Sequence, residues 1–97
     1  MKRRHVFFAE AARRDLIELG DWIAEHAGAD IALGYIARIE AYCASLALAG
    51  ERGQRRDDIR PGVRIVGLER RIAIAFIVTD LEVTILRLHY GGRNWSS

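Results

Sequence analysis

Apolar side chains recur every third or fourth residue from Phe8 through Ala12, Leu16, Leu19 and Ile23 to His26 or Ala27, with Arg13, Arg14, Glu18, Asp21 and Glu25 spread over the other faces. This is the spacing of one helical face, and it predicts a helix from Ala9 to about His26. Gly28 suits the left-handed position just past a helix end, and Asp30 can accept from the free amides of a following first turn, so a single tight connection is expected there. Ala32, Tyr35, Ile36, Ile39, Tyr42, Cys43 and Leu46 then repeat the helical period up to Gly50. The two segments form a helical hairpin with one continuous apolar stripe.

A short strand, Arg3 to Phe8, precedes the hairpin, and the loop-like segment 50–62, which holds the chain's one proline, follows it. Beyond that loop the period falls to two over three runs, Val63 to Gly67, Arg71 to Thr79 and Glu82 to Tyr90, joined by short turns at Leu68-Glu69-Arg70 and Asp80-Leu81. Helices grouped ahead of a run of strands imply a two-layer α+β domain, with the hairpin over one face of the sheet and the other face partly open. In the last run, alternation sets Val83, Ile85, Arg87 and His89 against Thr84, Leu86, Leu88 and Tyr90. Arg64 and Arg87 interrupt otherwise apolar runs, and a strand packed on a core holds such side chains by turning them to its open face. That face is expected to be a cationic surface.

Ninety-seven residues, 51% of them hydrophobic and 29% charged, make a single domain spanning 1–97 with a modest core. The longest apolar run, Ile72 to Val78, is far short of the ~20 residues of a membrane helix, and the basic start Met1 to His5 lacks the apolar segment of a signal peptide. Cytoplasmic residence is expected. Cys43 is the only cysteine, which excludes an internal disulfide and a multi-cysteine zinc site; neither a metal nor a cofactor is expected. Residues 1–51 carry six basic against eight acidic side chains, and residues 52–97 nine against five. Positive charge therefore gathers in the second half. All the cations but Lys2 are arginine, the side chain that pairs with carboxylate or phosphate through a planar fork, although a GC-rich genome would also favour it. Arg55, Arg56 and Arg60 read as a solvated loop.

Several segments together resemble the RelE/ParE superfamily of toxins from bacterial type II toxin–antitoxin modules, and within it the ParE branch. They are Ala11-Ala12-Arg13-Arg14-Asp15-Leu16, Trp22-Ile23-Ala24-Glu25-His26, Arg60-Pro61-Gly62-Val63-Arg64 and Val83-Thr84-Ile85-Leu86-Arg87-Leu88-His89-Tyr90-Gly91-Gly92-Arg93. The resemblance implies a sheet in which the N-terminal strand lies beside the last one. One departure is Phe8-Ala9-Glu10, where relatives often have Ser or Thr with Pro; the missing cap costs about 1 kcal/mol, partly offset by Glu10 near the positive helix end.

The resemblance implies two kinds of target. A ParE-like toxin binds DNA gyrase and blocks it on cleaved DNA, which requires an exposed recognition surface; Arg64, Arg87, Arg93 and Trp95 are its candidates, Trp and Arg being frequent interface anchors. A RelE-like toxin cleaves messenger RNA on the ribosome, which requires a general base, a general acid and cations for the charged transition state. Its candidates are Arg64, Arg87, His89, Tyr90 and Arg93. By alternation only His89 shares the face of Arg87, and the lysines that RelE nucleases carry beside the site are missing, so the gyrase-directed reading is preferred. A third class is a non-toxic protein-binding domain with the same sheet. The resemblance further implies a cognate antitoxin, wrapping the toxin as helix and strand in a hetero-oligomer, with Trp22 as a candidate contact.

Overall fold

The computed structural model describes residues 3–91. Its elements are β1 (His5–Phe8), α1 (Glu10–Ala27), α2 (Ala29–Ser45), β2 (Gln54–Arg55), β3 (Val63–Leu68), β4 (Ile72–Val78) and β5 (Glu82–Tyr90). No helix among the described residues is long and apolar enough to cross a membrane.

α1 starts after Ala9, whose extended backbone carries no side-chain cap, with Glu10 in the first turn as the sequence suggests. Gly28, at φ 100°, closes α1 by donating its N–H to the Ala24 carbonyl and opens α2 by accepting from Ala32 N–H. An L side chain rarely adopts this backbone, so a glycine is what lets one residue serve both helices. α2 ends at Ser45, earlier than the apolar stripe suggests. The chain continues in turns, yet Leu46 and Ala47 stay buried, so the apolar period outlasts the helix.

The sheet has the order β1-β5-β4-β3-β2. β1 runs parallel to β5, His5 facing Glu82 and Phe8 facing Ile85, while the other pairs are antiparallel. This is the two-layer α+β arrangement expected, with one addition: the connection read as a loop supplies β2, which pairs Gln54 and Arg55 with Ile65 and Arg64. The hairpin packs on Val66, Ile72, Ile74, Phe76, Val83, Ile85 and Leu88, and Ile39, Cys43, Leu46 and Phe76 are fully enclosed. Each fully buried large aliphatic or aromatic side chain contributes about 1.5–3 kcal/mol. The Cys43 thiol is pushed up to about 12 by burial, helped by the nearby Glu40 carboxylate, so it behaves as core and not as a nucleophile.

β5 departs from simple alternation. Ile85 faces Phe76, but Arg87 faces Ala75, so β5 takes two steps against one of β4 and Leu86 is an extra residue, a bulge. Alternation alone groups Arg87 with Val83 and Ile85; the bulge corrects this. Val83 and Ile85 share the helix-covered side with Leu88 and Tyr90, whereas Arg87 and His89 leave from the other side, across from Ala75 and Ala73. Without the extra residue a guanidinium would be driven into the core and Leu88 out of it. The bulge avoids that cost.

Candidate functional site

β1 stops at Phe8, so beyond Ile85 the outer edge of β5 has α1 beside it in place of a strand. Asp15 of α1 serves that edge. Its carboxylate accepts the Leu88 backbone N–H at 2.9 Å, in the role a strand carbonyl would fill, and takes the Arg87 fork at 2.7 and 3.1 Å. Asp15 is nearly buried, with 12% of its side chain exposed, against 47% for Arg87. Burial alone would raise the Asp15 pKa. The hydrogen bonds from Arg87 and Leu88, with the Arg87 charge, outweigh it and hold the carboxyl below the usual range. The same bond raises Arg87 further above its ordinary value.

This clasp borders a groove of about 460 Å³ between α1 and the end of β5, lined by Glu18, Leu19, Trp22, His89, Tyr90 and Gly91 besides Asp15 and Leu88. Trp22 is 46% exposed, stacked on His26 at 4.2 Å and tilted against Tyr90 at 5.2 Å. Tyr90 continues the cluster to Tyr35, edge-on at 6.4 Å, and its hydroxyl accepts from Arg71 at 3.3 Å. Arg38 lies over the Tyr35 ring and forks onto Glu69 at 2.5 and 3.2 Å, tying α2 to the β3–β4 turn.

Arg64 stands elsewhere. It faces Phe76, the neighbour of Ala75, so its side chain leaves the opposite face of the sheet from Arg87. The expectation of both guanidiniums on one open face is corrected: across β3, β4 and β5 the face of Arg87 carries Val63, Ile65, Gly67, Ala73, Ala75, Ile77 and Thr84, of which Val63 and Ala75 are buried, with Arg87 and His89 toward one end. Arg64 lines a second hollow, of about 290 Å³, with Arg4, Glu51, Arg55, Gly62, Val78, Thr79 and Asp80. Arg4 is held there by its Nε donating to the Thr79 carbonyl at 2.7 Å, and Glu51 lies 3.8 Å away. Arg55 is the direct cross-strand partner of Arg64.

Of the candidates read from sequence, His89, Tyr90 and Trp22 meet around the first groove beside Arg87, and Arg64 lies in the second. Arg93 and Trp95 fall outside the described residues. Sequence reasoning missed the partner of Arg87; Asp15 appeared only within the Ala11 to Leu16 motif. It also missed Arg4 and Arg55 as neighbours of Arg64. Among the described residues no three His, Cys, Asp or Glu side chains converge to hold a metal.

Residues 6–95 match the family model described as the ParE toxin of the type II toxin–antitoxin system, parDE. Among solved structures, the chromosomal ParDE toxin–antitoxin system from P. aeruginosa matches with a TM-score of 0.80 at 26% identity, covering 93% of this chain and 98% of that one. The RelBE2 toxin–antitoxin complex from Mycobacterium tuberculosis matches with a TM-score of 0.64 at 20% identity, covering 93% of each chain, which extends the likeness of fold to the RelE side. A comparison with curated proteins finds no match. With the strand, helical hairpin and sheet in the expected order and a family match over nearly its whole length, the chain belongs to the ParE toxin family of type II toxin–antitoxin systems.

Proposed function

We propose that this toxin acts in the cytoplasm on DNA gyrase, in ParE fashion, by recognition and not by bond chemistry of its own, and that a tightly bound antitoxin neutralises it. The observation that carries the reading is the separation of the arginines. Cleaving a phosphodiester requires an acid, a base and cations around one phosphate. Here Arg64 and Arg87 leave opposite faces, Arg87 is already engaged by Asp15, and the strand residues between them on the face of Arg87 are aliphatic and largely enclosed. Such an arrangement suits recognition better than cleavage. The RelE-type alternative draws on one observation, that His89 and Tyr90 line the same groove beside the Arg87–Asp15 pair.

An antitoxin partner is supported by the outer surface of the hairpin and by the groove at the end of β5. Ile17, Trp22, Ile31 and Leu33 expose large apolar side chains on α1 and α2, more than an isolated helical layer needs. Trp22 also borders the groove between α1 and the end of β5, whose aromatic lining suits an apolar segment of a partner. The test is induced expression in a bacterial host, with and without the antitoxin. DNA breaks and an SOS response, relieved by the antitoxin and with messenger RNA intact, are expected; loss of intact messenger RNA without DNA breaks would move the chain to the nuclease reading.

A further inference from the structure

We infer that the hollow of Arg4, Arg55 and Arg64 is a binding site for a phosphodiester group of nucleic acid. The inference rests on the toxin reading above and names the ligand chemistry of part of its target surface.

Three observations lead there. First, Arg55 and Arg64 are directly opposed across the β2–β3 pair, where like charges destabilise a sheet, and Arg4 approaches the same hollow from the start of β1. Second, Arg64 is partly buried and has no ion-pair partner among the described residues, while Arg55 turns to Asp57 at 3.3 Å and Arg4 lies 3.8 Å from Glu51. Third, the chain is built to bring β2 close. Gly53 has φ +82°, and a Cβ there would collide with the Ile65 carbonyl oxygen, so only glycine lets the strand that carries Arg55 reach β3. In this register the strand sets Arg55 directly against Arg64.

The geometry points to a tetrahedral oxyanion and not to a carboxylate. Elsewhere in this molecule a carboxylate takes one arginine fork at a time, Asp15 with Arg87 and Asp58 with Arg56 at 2.9 and 2.9 Å. Two coplanar oxygens suit one fork. Three arginines lining one hollow, from just before β1 and from β2 and β3, suit oxygens arranged around phosphorus, and a bound phosphate would also offset the repulsion between Arg55 and Arg64. Among the described residues Glu51 and Asp80 line the same hollow and Asp57 pairs with Arg55, so these carboxylates would repel a multiply charged acidic peptide and leave room for no more than one phosphodiester charge.

The test uses the purified full chain and short fluorescent oligonucleotides, DNA in one arm and RNA in the other, with anisotropy read across a salt series. Arg64→Gln should weaken binding about tenfold at low salt and lower the slope of log K against log salt by about one, as expected for one lost phosphate contact. Arg64→Lys should keep most of the slope, and Arg14→Gln, on the outer surface of α1, should change neither quantity. Inorganic phosphate should compete with the oligonucleotide for the unsubstituted protein but not for Arg64→Gln. The melting temperature of Arg64→Gln should hold or rise, because a like-charge opposition is removed. Oligonucleotide binding and salt slope unchanged in Arg64→Gln would overturn the site, as would loss of antitoxin affinity with nucleic-acid binding intact. If gyrase is unaffected by the unsubstituted toxin while Arg64-dependent oligonucleotide binding is present, the target reading fails and the site stands. Gyrase poisoning without Arg64-dependent binding gives the reverse.

Discussion

Arg64 and Arg87 look alike in sequence, each a guanidinium inside an apolar strand, yet the fold treats them in opposite ways. Arg87 is turned out of the core by the bulge at Leu86 and met by Asp15, whose carboxylate also takes the Leu88 N–H. Arg64 meets more arginine, with Arg55 directly across from it and Arg4 in the same hollow. One cation is satisfied within the chain, and the other is left for something outside it. A strand arginine is therefore not evidence of function by itself; its electrostatic company is.

The contrast is broken most readily by substitution at the two centres. Asp15→Ala removes the acceptor for both the Arg87 fork and the β5 edge, and should cost about 2–3 kcal/mol, a drop of roughly 10–20 °C in melting temperature for a domain of this size. Arg87→Ala, losing a half-exposed side chain while Asp15 keeps its backbone bond, should cost about 1 kcal/mol or less. Arg64→Gln should cost nothing. Equal losses at Asp15 and Arg64 would erase the distinction. Gly53→Ala comes next, about 1–2 kcal/mol by chemical denaturation, since a left-handed backbone and a carbonyl contact are both violated. It should displace β2 and weaken oligonucleotide binding with Arg64 intact.

Acid sharpens the same comparison. Because the Asp15 pKa is lowered on folding, its contribution is fully present above the unfolded value of about 4 and is lost as pH falls through the folded one. Urea midpoints of the unsubstituted chain should therefore drop below about pH 4 more steeply than those of Asp15→Asn; parallel curves would show that the clasp carries little. The smallest effect is expected at the β3–β4 turn. Glu69 and Arg70 have φ of 52° and 63°, the paired left-handed geometry of a type I′ turn, with neither of the residues that favour it. Arg70→Gly should stabilise by about 0.5 kcal/mol and leave both arginine sites unchanged.

The helices, the order of elements and the three C-terminal strands were legible because burial imposes a period, and Phe8 to His26 or Ile72 to Val78 show it plainly. The place of β1 beside β5 was not; periodicity carries no pairing information, only the family resemblance supplied the neighbour, and the parallel direction came from the structure. The bulge was hidden for a different reason. Leu86 and Leu88 are equally apolar, so nothing local marks which one is extra, and the choice is made by the cost of burying Arg87. Long-range electrostatic pairing was hidden too. Asp15 and Arg87 are brought together by α1 crossing the unpaired edge of β5, and Arg4, Arg55 and Arg64 by strands far apart in sequence. Composition hinted at the second cluster through its excess of arginine but could not separate it from a solvated loop.

The most direct test of the proposed activity is a cleavage assay with purified DNA gyrase, supercoiled DNA and the isolated toxin. Accumulation of gyrase-linked broken DNA, suppressed by the antitoxin and weakened in Arg64→Gln, is the result expected. Unimpaired supercoiling with no trapped breaks, at toxin concentrations that stop growth in cells, would contradict it.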